Sequence, residues 1–497
     1  MPQRLPASSK INTCFSNWKW YIPLGNFRPV QGTGQREFEL CSGVTTPIVS
    51  GYGVTPSGRS LFPAKGRTMT GNRIYRSNHD HATFTIICGK QGYLYFVLIA
   101  LLLIGAPVTV RADPYSVLYS FAGGTDGGVP SGCSLIHSGS TLYGLTNAGG
   151  EFGYGTAFSY DVVSGAHTVL HSFDQPNGQP SGSLIQSGSI LYGTTPLGGD
   201  NDDGTLFSYN LATNGYNILY SFDSSSGAWP VSSLRQSGSI LYGTTSRGGP
   251  SPLSYGTIFS FEPNTNTHAV LYTFDSLAKG QPNGTLSQSG SVLYGFTYNG
   301  GGPPSGPQYY GTIFSYDLTT NTQTTLFSFM NADHFQPVGG PVLSGSTLYG
   351  MTIDWANGGA GSIFSYNLLT NTYTSLHTFT DADGFRPEGS LILAGTTLYG
   401  MTSLGGTYNT GAIFSFDTLT QAYTNLHSFN VSNDGGYPYG DLLLIDHTLY
   451  GLTTIGGEHY EGTIFSYTIP EPASLSVFAL LATSMLGCPL ARRHRSR

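Results

Sequence analysis

Charged residues are scarce in this chain of 497 residues: Asp, Glu, Lys and Arg make up 9 % of it, against about 25 % in ordinary soluble domains. Gly, Ser, Thr, Asn and Tyr supply the polarity instead, a composition typical of turn-rich β structure. The alternative is a disordered, low-complexity chain. It is disfavoured by 33 Tyr, 28 Phe and regularly placed aliphatic residues, which can bury a large core.

Short catalytic motifs are also missing: there is no G-x-S-x-G, H-E-x-x-H, P-loop or paired-Cys metal spacing. Paired carboxylates for glycoside hydrolysis need only lie close in space, so the sequence leaves them open. Among the five cysteines, Cys133 stands alone between residues 113 and 470, and no disulfide can form within that range. Cysteine usage therefore does not identify the compartment.

The charges are unevenly distributed along the chain. Residues 1–112 carry twelve Lys or Arg against three Asp or Glu. Residues 113–470 carry four against twenty-three, a net charge of −19, and the last 27 residues hold four Arg and one Glu. A surface this acidic repels nucleic-acid phosphates and anionic lipid headgroups, so we expect no nucleic-acid partner.

One apolar run, residues 93–106, follows a basic flank and precedes an A-x-A-like site that ends at Ala112. These features predict a secretory signal peptide over residues 93–112. The alternative is a membrane anchor, but the run is shorter than the ~20 residues of a spanning helix. Residues 1–92 form an irregular basic extension to which we assign no function; translation that starts at or after Met69 would account for it.

Internal repeats dominate the rest of the chain. Leu-Tyr-Gly occurs seven times at spacings of 49 to 55 residues, and each copy is accompanied by a GSLI-type, a GTIFSY-type and a VLYSF-type segment. Each segment has strand length and is bounded by turn residues. Four strands in each ~50-residue unit predict that residues 113–469 form an all-β, seven-bladed β-propeller. An open β-solenoid is the alternative.

The loop lengths predict the order of strands within a blade, because the longest recurrent connection, the one after the SF strand, should cross between blades. The GSLI-type strand is then innermost, followed by the LYGTT, GTIFSY and SF strands. The innermost strands are centred on Leu135, Leu184, Leu234, Leu286, Val342, Leu391 and Leu442. The region begins with an outermost strand, Val117–Phe121, which we expect to complete the last blade and close the ring.

Two groups of residues raise the question of metal binding. His171, His377 and His427 share one repeat position with Tyr119, Tyr220, Tyr272 and Phe327, which indicates a packing position. The pairs Asp200/Asp202 and Asp381/Asp383 resemble parts of calcium loops but lack the distal Glu of an EF-hand. Asx turns explain a recurrent loop Asp without a metal, so we expect no cofactor and retain calcium only as an alternative.

Four aromatic residues are candidates for a ligand-facing surface: Trp229, Tyr309, Tyr310 and Trp355. They lie in or near the loops of the predicted blades, where they could stack on sugar rings. The alternative is that they pack against neighbouring blades.

The C-terminal residues 470–497 combine three features. Pro470, Glu471 and Pro472 precede an apolar stretch at the short end of a membrane span, and Arg492, Arg493 and Arg495 provide a basic stop. This arrangement resembles the PEP-CTERM sorting signal of Gram-negative bacteria, which implies a single-span helical tag recognised by an exosortase. A plain membrane anchor is the alternative.

The repeats resemble the GloVer tandem repeat family, whose units carry LYG-x-T-x-x-GG followed by GT-x-F. All seven units match across residues 117–467; in the fifth, the Gly-Gly pair comes late, at Gly358-Gly359. The resemblance implies a surface location and an anchoring tag but no activity. We therefore expect an exported, non-catalytic surface or extracellular-matrix protein that binds a polysaccharide or a surface protein through propeller loops. A hydrolase or lyase of carbohydrates on the same scaffold is the alternative.

Overall fold

The computed structural model describes residues 113–250, 254–275, 280–301, 310–330, 336–353 and 360–470. All regular elements within these ranges are β-strands, and none of these residues belongs to a helix that could span a membrane. The predicted signal peptide lies outside the described residues, and so does the predicted sorting tag apart from Pro470.

The strands follow the four recurrent segments of the sequence. In chain order they are β1 (Tyr115–Ser120), β2 (Cys133–Ser134), β3 (Ile136–Ser138), β4 (Thr141–Thr146), β5 (Thr156–Asp161), β6 (His167–Ser172), β7 (Ser181–Ser187), β8 (Ile190–Thr195), β9 (Thr205–Asn210), β10 (Gly215–Ser221), β11 (Arg235–Ser237), β12 (Ile240–Thr245), β13 (Thr257–Glu262), β14 (Thr267–Thr273), β15 (Pro282–Ser289), β16 (Val292–Thr297), β17 (Thr312–Asp317), β18 (Thr322–Ser328), β19 (Pro337–Ser344), β20 (Thr347–Thr352), β21 (Ser362–Asn367), β22 (Thr372–Thr378), β23 (Phe385–Pro387), β24 (Ile392–Ala394), β25 (Thr397–Leu404), β26 (Ala412–Asp417), β27 (Tyr423–Ser428), β28 (Leu443–Ile445), β29 (Thr448–Thr453) and β30 (Thr463–Thr468).

These strands form seven sheets, and all pairings are antiparallel except that of the two-residue β2, which adds parallel to β7. From the innermost strand outwards, blade one is β3-β4-β5-β6, blade two β7-β8-β9-β10, blade three β11-β12-β13-β14, blade four β15-β16-β17-β18 and blade five β19-β20-β21-β22. In blade six the short β23 and β24 both pair with β25, which is followed by β26 and β27. The predicted seven-bladed propeller of four-stranded blades is confirmed.

Blade seven draws on both ends of the described chain. Its order is β28-β29-β30-β1, and β1 pairs antiparallel with β30, with Tyr115 opposite Tyr467 and Ser120 opposite Thr463. The first strand of the propeller thus lies on the outer edge of the sheet that contains the last repeat.

The Leu-Tyr-Gly motif has a steric cause. The Phe of the third strand lies across the Gly of the second strand, so that a Cβ on Gly193 would lie 2.5 Å from Phe207 Cζ. The same construction in the other six blades gives 2.4 to 2.6 Å. Any larger residue would push this Phe out of its buried position, so Gly and Phe recur together.

The blades meet at seams built from one recurrent contact. A Phe at the end of each outermost strand packs edge-on against the third-strand Phe of the next blade, with ring centroids 5.2 to 5.4 Å apart in all seven seams. The pairs are Phe121–Phe158, Phe173–Phe207, Phe222–Phe259, Phe274–Phe314, Phe329–Phe364, Phe379–Phe414 and Phe429–Phe465. This geometry is favoured by the quadrupole of the rings and adds to the stability gained by burying them.

A buried pair of hydroxyl groups joins the second and third strands. Thr195 Oγ1 lies 2.7 Å from Thr205 Oγ1, and five further blades have an equivalent pair within 3.0 Å. Blade six is the exception, because Ala412 occupies the partner position and leaves the buried Thr402 Oγ1 without a hydrogen-bond partner.

The register corrects one detail of the sequence alignment. Val342 lies opposite Tyr349, whereas in blade two it is Ile185 that lies opposite Tyr192. The buried Leu of the innermost strand, Leu184 in blade two, is therefore matched in blade five by Pro341 and not by Val342. The alignment by residue type was wrong here because strand pairing, rather than hydrophobicity, sets the register.

Candidate functional site at the channel mouth

Each innermost strand is entered through an x-Pro-x-Gly sequence, except that blade three has Ser232 in place of the Gly. The residue before the proline is Val129, Gln179, Trp229, Gln281, Gln336, Arg386 or Tyr437 in blades one to seven. We call these seven residues the mouth ring. Because neighbouring strands are antiparallel, they lie on the same face as the hairpins between the second and third strands, which we call the upper face.

The backbone of the mouth ring is held in an unusual conformation. All members except Gln179 have φ between 49° and 60°, a region that side chains other than Gly, Asn and Asp seldom adopt. Hydrogen bonds maintain it: Trp229 N–H donates to Asp203 O of the preceding blade (2.9 Å), and its own carbonyl accepts from Ser246 N–H (3.0 Å). The same N–H bond to the preceding blade forms at the other five left-handed positions. Backbone hydrogen bonds to the preceding blade thus fix the left-handed conformation of these residues, and the side chain is free to differ from blade to blade.

Below the mouth ring, the strands crowd around the axis. A Cβ on Gly389 would lie 2.3 Å from Gly440 O, and one on Gly440 would lie 1.8 Å from Cys133 O. Only Gly allows each strand to approach the next this closely. The crowding explains this Gly in blades four to seven, where the nearest atom to such a Cβ lies at 1.8 to 2.5 Å. In blades one and two a positive φ, 68° at Gly132 and 81° at Gly182, explains it instead.

Neighbouring innermost strands are linked by side chains at the position just before the buried Leu of the strand. Ser183 N–H donates to Ser233 Oγ (3.0 Å), and Gly340 N–H donates to Ser390 Oγ (2.8 Å). Asp441 replaces the usual hydroxyl residue in blade seven. Its carboxylate accepts from Ser390 N–H (2.5 Å), and its own N–H donates to Ser134 Oγ (2.8 Å).

The axial channel holds a polar cavity of about 230 Å³ lined by residues of all seven blades. Most of them are Ser, Thr, Gly or Asn, but Glu388 and Asp441 also line it. Burial raises the pKa of both carboxyls; Arg386 partly offsets the effect on Glu388, to which its Nε donates at 2.7 Å. The cavity is therefore not lined by hydroxyls and backbone alone, the composition that would have excluded the enzyme alternative.

Two arginines at the mouth lie over aromatic rings. Arg247 Cζ lies 3.7 Å from the centroid of the Trp229 ring, and Arg386 Cζ lies 5.9 Å from that of Tyr439. These contacts hold the rings in place by cation–π attraction. They combine apolar ring faces with hydrogen-bond donors at the edge of the channel, as many small-molecule sites do.

Of the predicted aromatic candidates, the structure describes Trp229 and Tyr310. Both are partly buried; Trp229 belongs to the mouth ring, whereas Tyr310 packs against the core cluster of blades four and five that includes Phe364, and its carbonyl accepts from Gln336 N–H. Tyr309 and Trp355 lie outside the described residues. So do Gly358-Gly359 of the atypical fifth hairpin and, in the sorting motif, every named residue after Pro470.

The four candidate calcium ligands divide between two kinds of loop. Asp202 lies in the hairpin of blade two and accepts from Gly198 N–H (2.9 Å), as the neutral Asn409 does from Gly405 N–H (3.1 Å) in blade six. Asp200 shares this hairpin, whereas Asp381 and Asp383 belong to the crossing after blade five. Among the described residues, no three His, Cys, Asp or Glu side chains are grouped so as to hold a metal ion.

The three histidines singled out from the sequence lie in three different seams. His171 stacks on Tyr216 (3.8 Å between centroids), His377 on Tyr423 (4.3 Å) and His427 on Tyr115 (3.9 Å). His377 and His427 also face loop carboxylates, Asp383 at 3.3 Å and Asp434 at 2.8 Å.

The sequence reasoning missed Arg247, Arg386, Glu388, Tyr439 and Asp441, all of which surround the channel. A signal for three of them was present, because the x-Pro-x-Gly sequences can be aligned from the sequence alone and place Arg386, Glu388 and Tyr439 at their variable positions. Asp441 was visible as the one acid at a Ser or Thr position.

A family model of the Gloeobacter/Verrucomicrobia repeat matches residues 105–307 and 303–489. This chain belongs to that repeat family. No curated protein matches it. Family membership agrees with the resemblance seen in the LYG and GT-x-F units. The match does not test the predicted C-terminal sorting signal.

Solved structures that resemble the chain include an oligogalacturonate lyase in complex with manganese, at 12 % identity and a TM-score of 0.48, covering 72 % of this chain and 93 % of that one. Another is an oligogalacturonate lyase from Vibrio parahaemolyticus, at 12 % identity and a TM-score of 0.48, covering 72 % and 94 %. TolB from Acinetobacter baumannii is matched at 16 % identity and a TM-score of 0.36, covering 60 % and 63 %. At these values the likenesses concern architecture and carry no activity over to this chain.

Proposed function

We propose that this protein is an exported, non-catalytic surface or extracellular-matrix protein of a Gram-negative-type bacterium that binds a glycan through the upper face of its propeller. The observation that supports this most is the mouth ring. Its backbone repeats around the axis, while its side chains change from Val to Gln, Trp, Arg and Tyr. Rigid elements that present variable side chains around a polar opening are a common design for recognition.

The chemistry of the mouth favours a sugar as the ligand. Trp229 and Tyr439 contribute aromatic rings, Arg247 and Arg386 lie over one face of these rings and contribute N–H donors, and the hydroxyl-rich channel lies below. Pyranose rings have apolar faces and polar edges, which this combination matches. A surface protein is the other class of ligand that loops of this kind could hold.

The proposal is tested with the full-length protein on a glycan array, with and without calcium. The matched variant is Trp229→Gln, because Gln occupies the same position in blades two, four and five. We expect binding to at least one glycan and roughly tenfold weaker binding by the variant, about 1.4 kcal/mol for a lost ring contact. Val163→Ser, at an exposed tip on the opposite face, is the control. Equal binding by Trp229→Gln and the wild type would exclude the mouth ring as the glycan-binding site.

Export and sorting form a second part of the proposal. They are supported by the apolar run at residues 93–106 and by the Pro-Glu-Pro, apolar and basic segments after residue 469. An exosortase-type enzyme would be the partner that reads the tag. Replacing Pro470, Glu471 and Pro472 by Ala should leave the protein in the membrane fraction of an exosortase-bearing host. Unchanged release of the variant would contradict the sorting role.

Ring closure by β1 is also part of the proposal, and its pairing with β30 supports it. Without β1, β30 would be an open sheet edge available to other chains. Deleting residues 113–121 should therefore lower the melting temperature and promote aggregation. A deletion variant as stable and monodisperse as the wild type would show that closure lies elsewhere.

The alternative function, a carbohydrate hydrolase or lyase, is favoured by one observation: Glu388 and Asp441 share the channel cavity, and burial raises the pKa of both. A protonated carboxyl can act as a general acid. Polysaccharides incubated with the protein would then yield new reducing ends or unsaturated products. Activity lost in Glu388→Gln and in Asp441→Ser, which restores the Ser of other blades, would establish it; stable polymers throughout would reject it.

A further inference from the structure

Exposed aromatic rings are concentrated on one part of the upper face. Among the described residues, the exposed Phe and Tyr side chains are Phe152 (53 % exposed), Tyr154 (40 %), Tyr408 (56 %) and Tyr460 (59 %). All four lie in the hairpin between the second and third strands, in blades one, six and seven. Clustered exposed apolar groups on a soluble protein commonly mark an interaction site.

These blades are consecutive around the ring. Phe429 of blade six packs on Phe465 of blade seven, and Phe121 on the edge of blade seven packs on Phe158 of blade one. The four exposed rings therefore follow an arc over three neighbouring blades, which we call the aromatic arc. An arc of this kind suits an extended ligand better than a small one.

The backbone at Tyr460, which carries one of these rings, is in a strained conformation. Tyr460 has φ +62°, and the equivalent positions in blades one, two and six carry Gly153, Asp202 and Asn409. Those residue types tolerate the left-handed region, whereas a bulky residue there is strained. Tyr460 also lacks the side-chain carbonyl with which Asp202 and Asn409 brace their hairpins. Neither packing nor backbone preference accounts for a Tyr at this exposed position.

The carboxylates of these three hairpins have no Lys or Arg counterpart there, and the exposed His459, between Glu458 and Tyr460, is the one titratable base. Glu151 and Glu458 are exposed in the same hairpins as Phe152 and Tyr460. Arg386, which belongs to blade six, forms an ion pair with Glu388. Carboxylates beside aromatic faces favour an ammonium group, which gains both ion pairing and cation–π attraction, and they repel anionic polymers.

We propose that the aromatic arc binds a polysaccharide whose sugars carry protonated amino groups, a hexosamine polymer. The inference rests on the proposed glycan-binding function and narrows its ligand class. The rings of Phe152, Tyr408 and Tyr460 receive pyranose faces, and Glu151 and Glu458 pair with the amines. Successive sugars along the polymer occupy successive blades.

The test compares three hexamers as probes of the full-length protein by calorimetry: glucosamine, N-acetylglucosamine and galacturonic acid. We expect the glucosamine hexamer to bind at least tenfold more tightly than the acetylated one, with affinity that falls as salt is added. The galacturonate hexamer should not bind. Equal affinity for the first two would overturn the amine requirement and leave glycan binding intact, whereas binding of poly-lysine as tight as that of glucosamine would overturn the preference for sugar.

Tyr460→Asn is the decisive variant because it introduces the residue found at the same position in blade six. We expect its melting temperature to be equal or higher and its affinity for the glucosamine hexamer to fall about tenfold. If Tyr460 served only in packing, Tyr460→Asn would lower the melting temperature and leave the affinity for the glucosamine hexamer unchanged. Glu458→Gln should weaken binding of the glucosamine hexamer only, and Val163→Ser on the opposite face is the control. If Trp229→Gln abolishes glycan binding while Tyr460→Asn does not, the mouth ring stands and the aromatic arc is rejected.

Discussion

The seams and the upper face of this propeller use the same repeats in opposite ways. In the seams, seven Phe–Phe contacts agree within 0.2 Å, from 5.2 to 5.4 Å. On the upper face, one hairpin position holds Gly153, Asp202, Asn409 or Tyr460 on the same left-handed backbone. If the upper face binds a glycan as proposed, mutations in the seams should change unfolding, and mutations on the upper face should change binding.

The largest expected effect is in a seam. Phe222 is fully buried and packs edge-on against Phe259 at 5.2 Å. Phe222→Ala should lower the free energy of unfolding by about 3–5 kcal/mol, because it removes an aromatic ring and leaves a cavity. Denaturant unfolding measures this, with the exposed Phe152→Ala as control. A loss below about 1 kcal/mol would show that the seams are not the main source of stability.

The buried hydroxyl pairs can be tested both by removing a hydroxyl in blade seven and by adding one in blade six. Thr463→Ala in blade seven removes one hydrogen bond of the buried Thr453 hydroxyl, which keeps its bonds to Ile455 O and to the N–H of residue 463. The variant should therefore cost about 0.5–1.5 kcal/mol, the net value of one hydrogen bond. Ala412→Thr in blade six provides a partner for Thr402 and should stabilise by about 1 kcal/mol. Unfolding curves of the two variants should shift in opposite directions. A destabilised Ala412→Thr would mean that blade six has no room for the hydroxyl.

Acid should loosen the seams. Burial lowers the pKa of His167 and of His268 to about 4, although Asp126 and Asp223 oppose the shift. The folded pKa lies below the unfolded value of about 6.5, so neutral histidine stabilises the protein above pH ~6.5 and this contribution is lost as the pH falls towards 4. His167→Tyr with His268→Tyr uses the residue of blades two, five and six and should flatten the dependence of melting temperature on pH between 6.5 and 4. An unchanged slope would assign acid sensitivity to other groups.

The smallest effect is expected at the mouth ring. Val129 is β-branched yet has φ +49°, so Val129→Gly should relieve strain and raise the free energy of unfolding by up to about 1 kcal/mol. Its N–H bond to Glu461 O remains in the variant. The measurement is again the unfolding midpoint. A clear loss of stability would show that the Val side chain packs more tightly than its partial exposure indicates.

Much of the architecture was predictable from residue patterns, because each motif reports a contact within one repeat. Leu-Tyr-Gly and GT-x-F mark a Gly covered by a Phe and a pair of hydroxyls, and both contacts recur with the sequence. The shift at Pro341 was not predictable, since hydrophobicity does not reveal which residue lies opposite Tyr349. Glu388 and Asp441 were passed over for a similar reason: they are 53 residues apart in the chain, and only the packing of the neighbouring blades six and seven brings both to one cavity.

The number of blades, the strands within each blade and their order from the axis outwards could be read from residue patterns, because these patterns are short-range and repeated seven times. Which side chains surround the channel, which histidines stack in the seams and which exposed rings share an arc became visible only in the folded propeller. Those relations join residues from different repeats, and their distances follow from packing the blades around an axis. The strained Tyr460 belongs to the second group, because its cost shows only in the backbone angle that the hairpin imposes.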